Sequence, residues 1–296
     1  MSTALIIGVG GLGCPAALSL AEGGVERLVL VDADTITLSN LQRQVLYGVS
    51  DVGLVKVDVA SRQLRERFPE LKVIAEPVRF TAENADRLLE HVDIVIDGTD
   101  DPAARFLIND FAFGKGIPAV LGGIHQFEGL VMAVAGKHGP CFRCLFEEPP
   151  GPDEAMRCGE AGVLGALPGA VGHLQAVRAL GILAGDVAAH TGFLTTLDGL
   201  RGRIRDIPMP EATGCVVCGG IDARLDITPF MCPMTYVRTR LAIERIEPGQ
   251  LLDVVMRRGE PSTNVPRSLL EEGHQILSDG PMGTDHYRVV VRRNHV

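Results

Sequence analysis

The sequence contains no tryptophan, and aromatic residues make up only 4% of its 296 positions. Cationic residues are also scarce, since 28 lysines and arginines face 37 aspartates and glutamates and leave a formal net charge of −9. A chain with this balance has no basic surface that would attract a phosphate backbone. Nucleic acid is therefore not expected as a direct partner.

Long uncharged apolar segments are missing as well. The most apolar stretch, 163–189, is interrupted by Arg178 and Asp186, which a membrane span rarely tolerates. No positively charged region precedes the apolar residues 4–9, so we expect no secretory signal. These features predict a cytoplasmic globular protein without a membrane partner, and 46% hydrophobic residues suffice for a large core.

Short apolar runs alternate with helical patterns in the first two thirds of the chain. Residues 4–9 and 27–31 are predicted strands joined by a glycine-rich turn and a helix, and 93–97 is a further buried strand. Such alternation favours a parallel sheet covered on both faces. We therefore predict an α/β fold for residues 1–220, with a Rossmann-like, doubly wound, mostly parallel sheet.

A second domain is predicted for residues 221–296, because the composition changes after Gly220. Its pattern is that of a small β-α-β-α-β unit, which corresponds to a two-layer α+β domain. The first helix carries Val237, Leu241 and Ile246 on one apolar side. The second helix is predicted to be short and to begin at Pro266.

The turn after the first strand has the sequence Gly8-Val9-Gly10-Gly11-Leu12-Gly13. Backbone N–H groups at such a helix start bind a phosphate group. Asp32 ends the second strand about 20 residues further on, which is the place of a ribose-binding carboxylate. Enzymes that bind NAD or FAD use the same device, so this segment by itself favours a dinucleotide.

Two cations and a carboxylate shift the prediction to ATP. Arg43 follows the second strand and Lys56 opens the next helix, where they can neutralise a triphosphate that loses pyrophosphate. Asp100 follows the strand 93–97, at a strand end where sheet ligands bind, and can hold Mg²⁺ against the phosphates. The alternative is that Asp100 and Asp101 cap the next helix and that Arg43 is a surface charge.

These residues lie within longer recognisable stretches of the sequence. The stretches are GVGGLGCPAALSLAEGGVERLVLVDADTITLSNLQRQVLY, DVGLVKVDVA, DIVIDGTDDPAARFLIND, CFRC, CGEAGVLGALPGAVGHLQA and GCVVCGG. Over residues 4–220 the chain resembles the ThiF/MoeB/HesA family, the bacterial relatives of ubiquitin-activating enzymes. The resemblance implies a homodimeric adenylyltransferase that joins AMP to the C-terminal Gly-Gly of a ubiquitin-like sulfur-carrier protein and releases pyrophosphate.

The resemblance also implies which residues hold ATP. Arg43, Lys56 and Asp100 are expected to act on the phosphates, with Asp100 as the Mg²⁺ ligand. The complete predicted ATP site consists of Gly8, Gly10, Gly11, Gly13, Asp32, Asp34, Ser39, Asn40, Arg43, Gln44, Lys56, Asp100 and Asp101. Where the family has asparagine, this chain has Asp101, which adds a negative charge near the phosphates.

Seven cysteines occur at uneven spacing, and disulfides are not expected without a secretory signal. Cys141-x-x-Cys144 and Cys215-x-x-Cys218 form a pair of CxxC motifs, the pattern of a closed, structural Zn²⁺ site. A redox role is the alternative, but no thioredoxin-like pattern surrounds either motif. Cys14 lies on an apolar helix and is predicted to be a core residue.

Two further cysteines are candidates for sulfur chemistry. Cys158 follows Arg157 in a polar loop, which favours the thiolate, and in the family this position is the conjugating cysteine. Cys232 precedes Pro233 at a predicted helix start, where the helix dipole also favours the thiolate. The alternatives are a loop cysteine without a role and a buried strand-end cysteine, respectively.

Residues 223–296 resemble the TusA-like sulfur-carrier family in the stretches LDITPFMCPM, VRTRLAIERIEPGQ, NVPRSLLEEGH and YRVVVRR. Cys232 matches the persulfide-bearing cysteine of that family, although Thr235 replaces the second proline of its motif. The fusion implies that Cys232 takes sulfur from a persulfide donor, a desulfurase or a rhodanese. It then passes the sulfur to the activated carrier, directly or through Cys158, as a thiocarboxylate.

Two other functions stay open at this point. An NAD(P)-dependent oxidoreductase is supported by the glycine turn and Asp32 alone. A non-catalytic scaffold for the carrier and the sulfur donor is supported by a missing arginine, which the family carries before its first strand.

Overall fold

The computed structural model describes residues 2–136, 139–146, 149, 164–209, 215, 217–231, 233–282 and 284–294. The chain divides into two compact units, Met1–Pro210 and Glu211–Val296, and each has its own sheet and core. In the described ranges, no helix is both long enough and apolar enough to cross a lipid bilayer.

One sheet organises the larger unit. Its strands are β1 (Thr3–Ile7), β2 (Arg27–Val31), β3 (Lys72–Glu76), β4 (Ile94–Asp97), β5 (Ala119–His125), β6 (Glu128–Val134), β7 (Phe193–Asp198) and β8 (Arg203–Pro208). They lie in the order β3-β2-β1-β4-β5-β6-β7-β8. The strands from β3 to β5 are parallel, whereas β6, β7 and β8 extend the sheet in antiparallel fashion. The predicted α/β fold with a mostly parallel sheet is confirmed.

Helices connect and cover these strands. They are α1 (Gly13–Glu22), α2 (Lys56–Arg67), α3 (Ala82–Leu88), α4 (Pro102–Lys115), α5 (Leu167–Leu183) and α6 (Val187–His190). Helix α5 packs along α1 and against β5 and β6. All residues of β1 and β4 are buried, which is why all but one residue of each strand is apolar.

The glycine turn after β1 contacts the loop after β4 through its backbone. Gly8 has a φ of +87°, a value that favours glycine. A Cβ at Gly13 would lie 2.0 Å from the Gly8 carbonyl oxygen, and a Cβ at Gly98 would lie 2.3 Å from the same atom. Glycine at these three positions therefore allows the two loops to meet at the carboxyl edge of the sheet.

The smaller unit combines a four-stranded sheet with two helices. Its elements are β9 (Ile221–Asp226), α7 (Met234–Ile243), β10 (Leu251–Arg257), α8 (Glu260–Glu271), β11 (Gln275–Met282) and β12 (His286–Arg292). The strand order is β11-β12-β10-β9, with β9 and β10 parallel and the other pairs antiparallel. Both helices contact each other and the sheet, so the predicted small α+β domain is confirmed.

The predicted β-α-β-α-β order was wrong in one element, because it lacked β11. That strand contains Ser278, Asp279, Gly280 and Pro281, which are residues typical of turns. It pairs with β12 along its length, so tertiary pairing overrides the local sequence preference.

Helix α7 buries a different side from the predicted one. Val237 and Leu241 are 41% and 50% exposed, whereas Thr235 and Thr239 are fully buried. Ile246, the third residue of the predicted apolar side, lies beyond the end of the helix and is 7% exposed. The Thr239 hydroxyl donates to the Thr235 carbonyl oxygen at 2.9 Å, which satisfies its hydrogen-bonding capacity inside the core. The prediction that α7 buries the side carrying Val237 and Leu241 was therefore wrong. Threonine takes the buried positions instead, because its hydroxyl is satisfied within the helix.

Helix α8 also differs from its prediction. It begins at Glu260, so that Pro266 lies inside the helix and is buried. The prediction that the helix begins at Pro266 was therefore wrong. Pro261 occupies the first turn instead, where a proline lacks no hydrogen bond that the helix would need.

Replacing Gly13 tests the backbone contact between the two loops. We expect Gly13→Ala to lower the stability of the larger unit by about 1–3 kcal/mol, the usual cost of overpacking, and to lower the melting temperature measured by circular dichroism. Gly114→Ala in α4 is the matched control, because nothing lies within 4 Å of its added Cβ. The same melting temperature for both variants would contradict the role of this contact.

Candidate functional site

A cleft of about 230 Å³ opens at the carboxyl ends of the parallel strands. Its wall includes most of the residues predicted to bind ATP, namely Gly8, Gly10, Gly11, Asp32, Asp34, Asn40, Arg43, Gln44, Lys56, Asp100 and Asp101. Two predicted residues are not part of this wall. Gly13 lies beneath the turn in contact with Gly8, and the Ser39 hydroxyl is 3.0 Å from Oγ1 of Thr37.

Asp32 is held in a fixed orientation at the end of β2. Its Oδ2 accepts a hydrogen bond from the Val9 N–H at 2.8 Å, and its Oδ1 accepts one from the Asp34 N–H at 2.8 Å. Burial raises the pKa of the Asp32 carboxyl, and the charge of Lys56 opposes this effect. Asp32 thus presents an oriented acceptor next to the glycine turn, as a ribose hydroxyl requires.

Lys56 projects from the first turn of α2 and is largely buried. Its Nζ donates to Oδ2 of Asp34 at 2.9 Å and lies 3.8 Å from Oδ2 of Asp32. These two carboxylates compensate the desolvation of the ammonium group. They hold a positive charge at the cleft wall.

Arg43 supplies a second cation with a different environment. Its Nη1 donates to the Ser39 carbonyl oxygen at 3.2 Å. No carboxylate of the described residues forms an ion pair with it. The guanidinium is therefore available for an anion in the cleft.

A buried ion pair supports the loop that carries Asp100. Asp97 is fully buried and accepts a hydrogen bond from Nε of Arg105 at 2.6 Å. It also accepts from the backbone N–H and the hydroxyl of Thr99, at 2.9 and 2.7 Å. These bonds fix the loop between β4 and α4, and Asp100 lies on the cleft side of that loop.

Asp101 caps α4, which is the role that the alternative prediction gave to Asp100 and Asp101 together. Its Oδ1 accepts a hydrogen bond from the Ala103 N–H at 3.0 Å and caps α4. It also lines the cleft, so structural and site roles coexist in this residue.

The loop after β3 provides one wall of the cleft, which was not predicted from the sequence. Val78, Arg79 and Phe80 line the cleft there, and Pro168 at the start of α5 closes another side. Val78, Arg79 and Phe80 could have been predicted from their position, because ligands bind at the carboxyl ends of parallel strands, and these residues follow the end of β3 as Asp100 follows the end of β4. No motif in the sequence marked them.

Four cysteine thiols come together at a separate place. The sulfur atoms of Cys141, Cys144, Cys215 and Cys218 all lie within 4.8 Å of one another. A Zn–S distance of about 2.3 Å separates the sulfurs of a tetrahedral site by about 3.8 Å. Four soft donors within this distance of one another fit a closed Zn²⁺ site.

Helix α4 supports the first of these CxxC motifs. Oδ1 of the buried Asn109 accepts a hydrogen bond from the Phe142 N–H at 2.8 Å. Arg143 donates to the Asp110 carboxylate, from Nε to Oδ1 and from Nη2 to Oδ2, each at 2.8 Å. The same helix thus holds the cleft loop at its N-terminal end and the cysteine motif near its middle.

The remaining cysteines fall into two groups. Cys14 is fully buried, which confirms the prediction of a core residue, and burial raises the pKa of its thiol to about 12. Cys158 and Cys232 lie outside the described residues.

Comparison with known proteins identifies the family. The sequence model of the ThiF family matches residues 1–217, and that of the sulfurtransferase TusA matches residues 223–293. The chain belongs to the ThiF family and carries a TusA-like domain behind the ThiF part.

Two relatives illustrate the match. "Adenylyltransferase and sulfurtransferase MOCS3" of Aedes aegypti is 35% identical over 91% of this chain and 62% of its own length. "Sulfur carrier protein adenylyltransferase" of Thermus thermophilus is 41% identical over 77% of this chain and 86% of its own length. The chain therefore spans about three fifths of the first relative and most of the second.

The solved structures give the same fold. The crystal structure of Escherichia coli MccB has a TM-score of 0.65 and 20% sequence identity, and the match covers 74% of this chain and 65% of that chain. At this identity the likeness supports the architecture of the larger unit and nothing more.

Proposed function

We propose that this protein uses ATP to adenylylate the C-terminal Gly-Gly of a ubiquitin-like sulfur-carrier protein and then converts it to a thiocarboxylate. The observation that carries the proposal is the convergence of Arg43, Lys56 and Asp100 on one cleft beside the glycine turn. Relatives named as an adenylyltransferase and sulfurtransferase and as a sulfur-carrier adenylyltransferase support it. We assign activation to residues 1–220 and sulfur transfer to residues 221–296.

The cleft residues suit adenylyl transfer. The N–H groups of the glycine turn bind phosphate, and Asp32 accepts a hydrogen bond from the ribose. The carrier carboxylate attacks the α-phosphorus, a new P–O bond forms, and the P–O bond to pyrophosphate breaks. Arg43 and Lys56 stabilise the charge that builds up on the departing pyrophosphate.

Mg²⁺ belongs to this proposal as a companion of ATP. Asp100 would hold it, since a carboxylate together with phosphate oxygens is the ligand set that Mg²⁺ prefers, and the ion would neutralise phosphate charge. A homodimer, as the family resemblance implies, and a cytoplasmic location belong to the same proposal.

The sulfur step is assigned to the two cysteines outside the described residues. Cys232 would receive sulfur from a desulfurase or rhodanese as a persulfide. Its terminal sulfur would attack the carrier carbonyl, form a C–S bond and release AMP. Attack by the Cys158 thiolate on the S–S bond would then free the thiocarboxylate and leave a disulfide between the two cysteines, which a cellular dithiol reduces.

Carrier-dependent ATP–pyrophosphate exchange tests the activation step. We expect exchange with a carrier that ends in Gly-Gly, and a loss of about a hundredfold in Lys56→Ala, because a preorganised charge at the phosphates is removed. Lys115→Ala is the matched control, since Lys115 pairs with Asp86 and takes no part in the cleft wall. If no such carrier supports exchange, the proposal fails, and quenching of NADH fluorescence would then favour an oxidoreductase.

Removal of Cys232 should separate the two halves of the reaction. We expect Cys232→Ala to retain ATP–pyrophosphate exchange and to lose thiocarboxylate formation, measured by mass spectrometry of the carrier with a persulfide donor present. Cys14→Ala serves as the control that keeps both activities, because its thiol is buried in the core. Thiocarboxylate formation at the unaltered rate in Cys232→Ala would refute the relay.

The four-cysteine cluster is proposed to hold one structural Zn²⁺ ion. We expect about one equivalent of zinc per chain by elemental analysis, because four thiolates close a tetrahedral site. Cys141→Ser should lose the metal and Cys14→Ala should retain it. Purified protein without zinc, or zinc retained in Cys141→Ser, would speak against the site.

A further inference from the structure

Arg79 reaches across the mouth of the cleft. It lies in the loop between β3 and α3, and its Nη1 is 3.9 Å from Oδ2 of Asp101, which follows β4. In the sheet, β2 and β1 separate β3 from β4, a span of three strand spacings or about 14 Å. The contact therefore passes over the ends of the two strands that carry the glycine turn and Asp32.

The ion pair between Arg79 and Asp101 contributes little to the stability of the fold. The side chains of Arg79 and Asp101 are 73% and 47% exposed, and a pair of this kind contributes little to stability. Asp101 is the one side-chain partner of Arg79 within the part of the chain that the structure describes. The guanidinium is thus free to take up a second partner in the cleft.

The distribution of charge in the cleft wall indicates a role for Arg79. The acidic side chains are Asp32, Asp34, Asp100 and Asp101, and the basic ones are Arg43, Lys56 and Arg79. Lys56 is already engaged with Asp34 and Asp32. Arg79 is the cation that faces Asp101, so it offsets a carboxylate that would otherwise repel a nucleotide.

The sheet order indicates which end of the nucleotide lies near Arg79. The phosphate-binding turn follows β1 and the ribose-binding Asp32 follows β2, so the base extends toward the next strand, β3. Val78 and Phe80, on either side of Arg79, line this part of the cleft, and Phe80 is buried. An apolar wall suits a planar base, and a guanidinium stacks well on such a ring.

We propose that Arg79 binds the nucleotide directly, covering the base end of ATP while Asp101 holds its guanidinium across the cleft mouth. The inference rests on the proposed function, since ATP is the nucleotide concerned. It makes Arg79 a determinant of ATP affinity, and of KM for ATP more than of kcat.

Calorimetric titration of the full chain with a non-hydrolysable ATP analogue and Mg²⁺ tests this inference. Arg79→Ala is expected to raise the Kd about tenfold, since it removes a stacking partner of the base. Arg79→Lys should recover part of the affinity because it keeps the charge but not the planar group. Arg87→Ala is the matched control, because Arg87 of α3 pairs with Glu76 at the end of β3 and is absent from the cleft wall.

A double-mutant cycle tests the role of Asp101. Asp101→Asn keeps a side chain that caps a helix but removes the charge that pairs with Arg79. In that background Arg79→Ala should raise the Kd for the ATP analogue only about threefold. An equal increase in Kd in both backgrounds would overturn the coupling between Arg79 and Asp101. Melting temperatures of all variants should be equal, since Arg79 is exposed.

Inorganic tripolyphosphate separates the base end from the phosphate end. We expect Arg79→Ala to leave the Kd for tripolyphosphate unchanged, and an equal loss for this probe would overturn the assignment to the base. An unchanged Kd for the ATP analogue in Arg79→Ala would overturn the inference while leaving the proposed function intact. Failure of the unaltered protein to bind the analogue would instead overturn the proposed function, and the inference with it.

Discussion

The approach of two backbone loops at the carboxyl edge of the sheet is the constraint on which the rest of the larger unit depends. The Gly8 carbonyl oxygen fits between Gly13 and Gly98 because none of these residues has a side chain. This contact brings the glycine turn after β1 next to the loop after β4. Asp100 consequently faces the same space as Arg43 and Lys56, although these residues are far apart in the sequence.

Charge pairing explains how so many ionised groups coexist around this cleft. Lys56 is buried between Asp34 and Asp32, and Asp97 is buried against Arg105. Each of these charges would be costly to bury without its partner. Lys56, Asp34 and Asp32 line the cleft as a paired group, whereas Arg43 forms no ion pair with a described carboxylate and Arg79 meets the half-exposed Asp101.

Helix α4 joins the cleft to the first cysteine motif. Asp101 caps its N-terminus and lines the cleft, and Asn109 and Asp110 hold the segment from Cys141 to Cys144 through Phe142 and Arg143. A metal at the four thiols would therefore brace the same helix that positions Asp100. In the smaller unit, by contrast, the buried Thr235 and Thr239 leave the more apolar side of α7 exposed.

The order of the amino acids was sufficient to predict the strands of the parallel sheet, the glycine turn, the polar residues at strand ends and the paired CxxC motifs. These features depend on local periodicity and spacing, and residues such as Asp32, Lys56 and Asp100 follow from them. Other features follow only from the folded chain: Arg79 meets Asp101 across two intervening strands, β11 pairs with β12 as a strand, and α7 buries its threonine side. The reason is physical: these outcomes depend on contacts between segments distant in the chain, which override local preference.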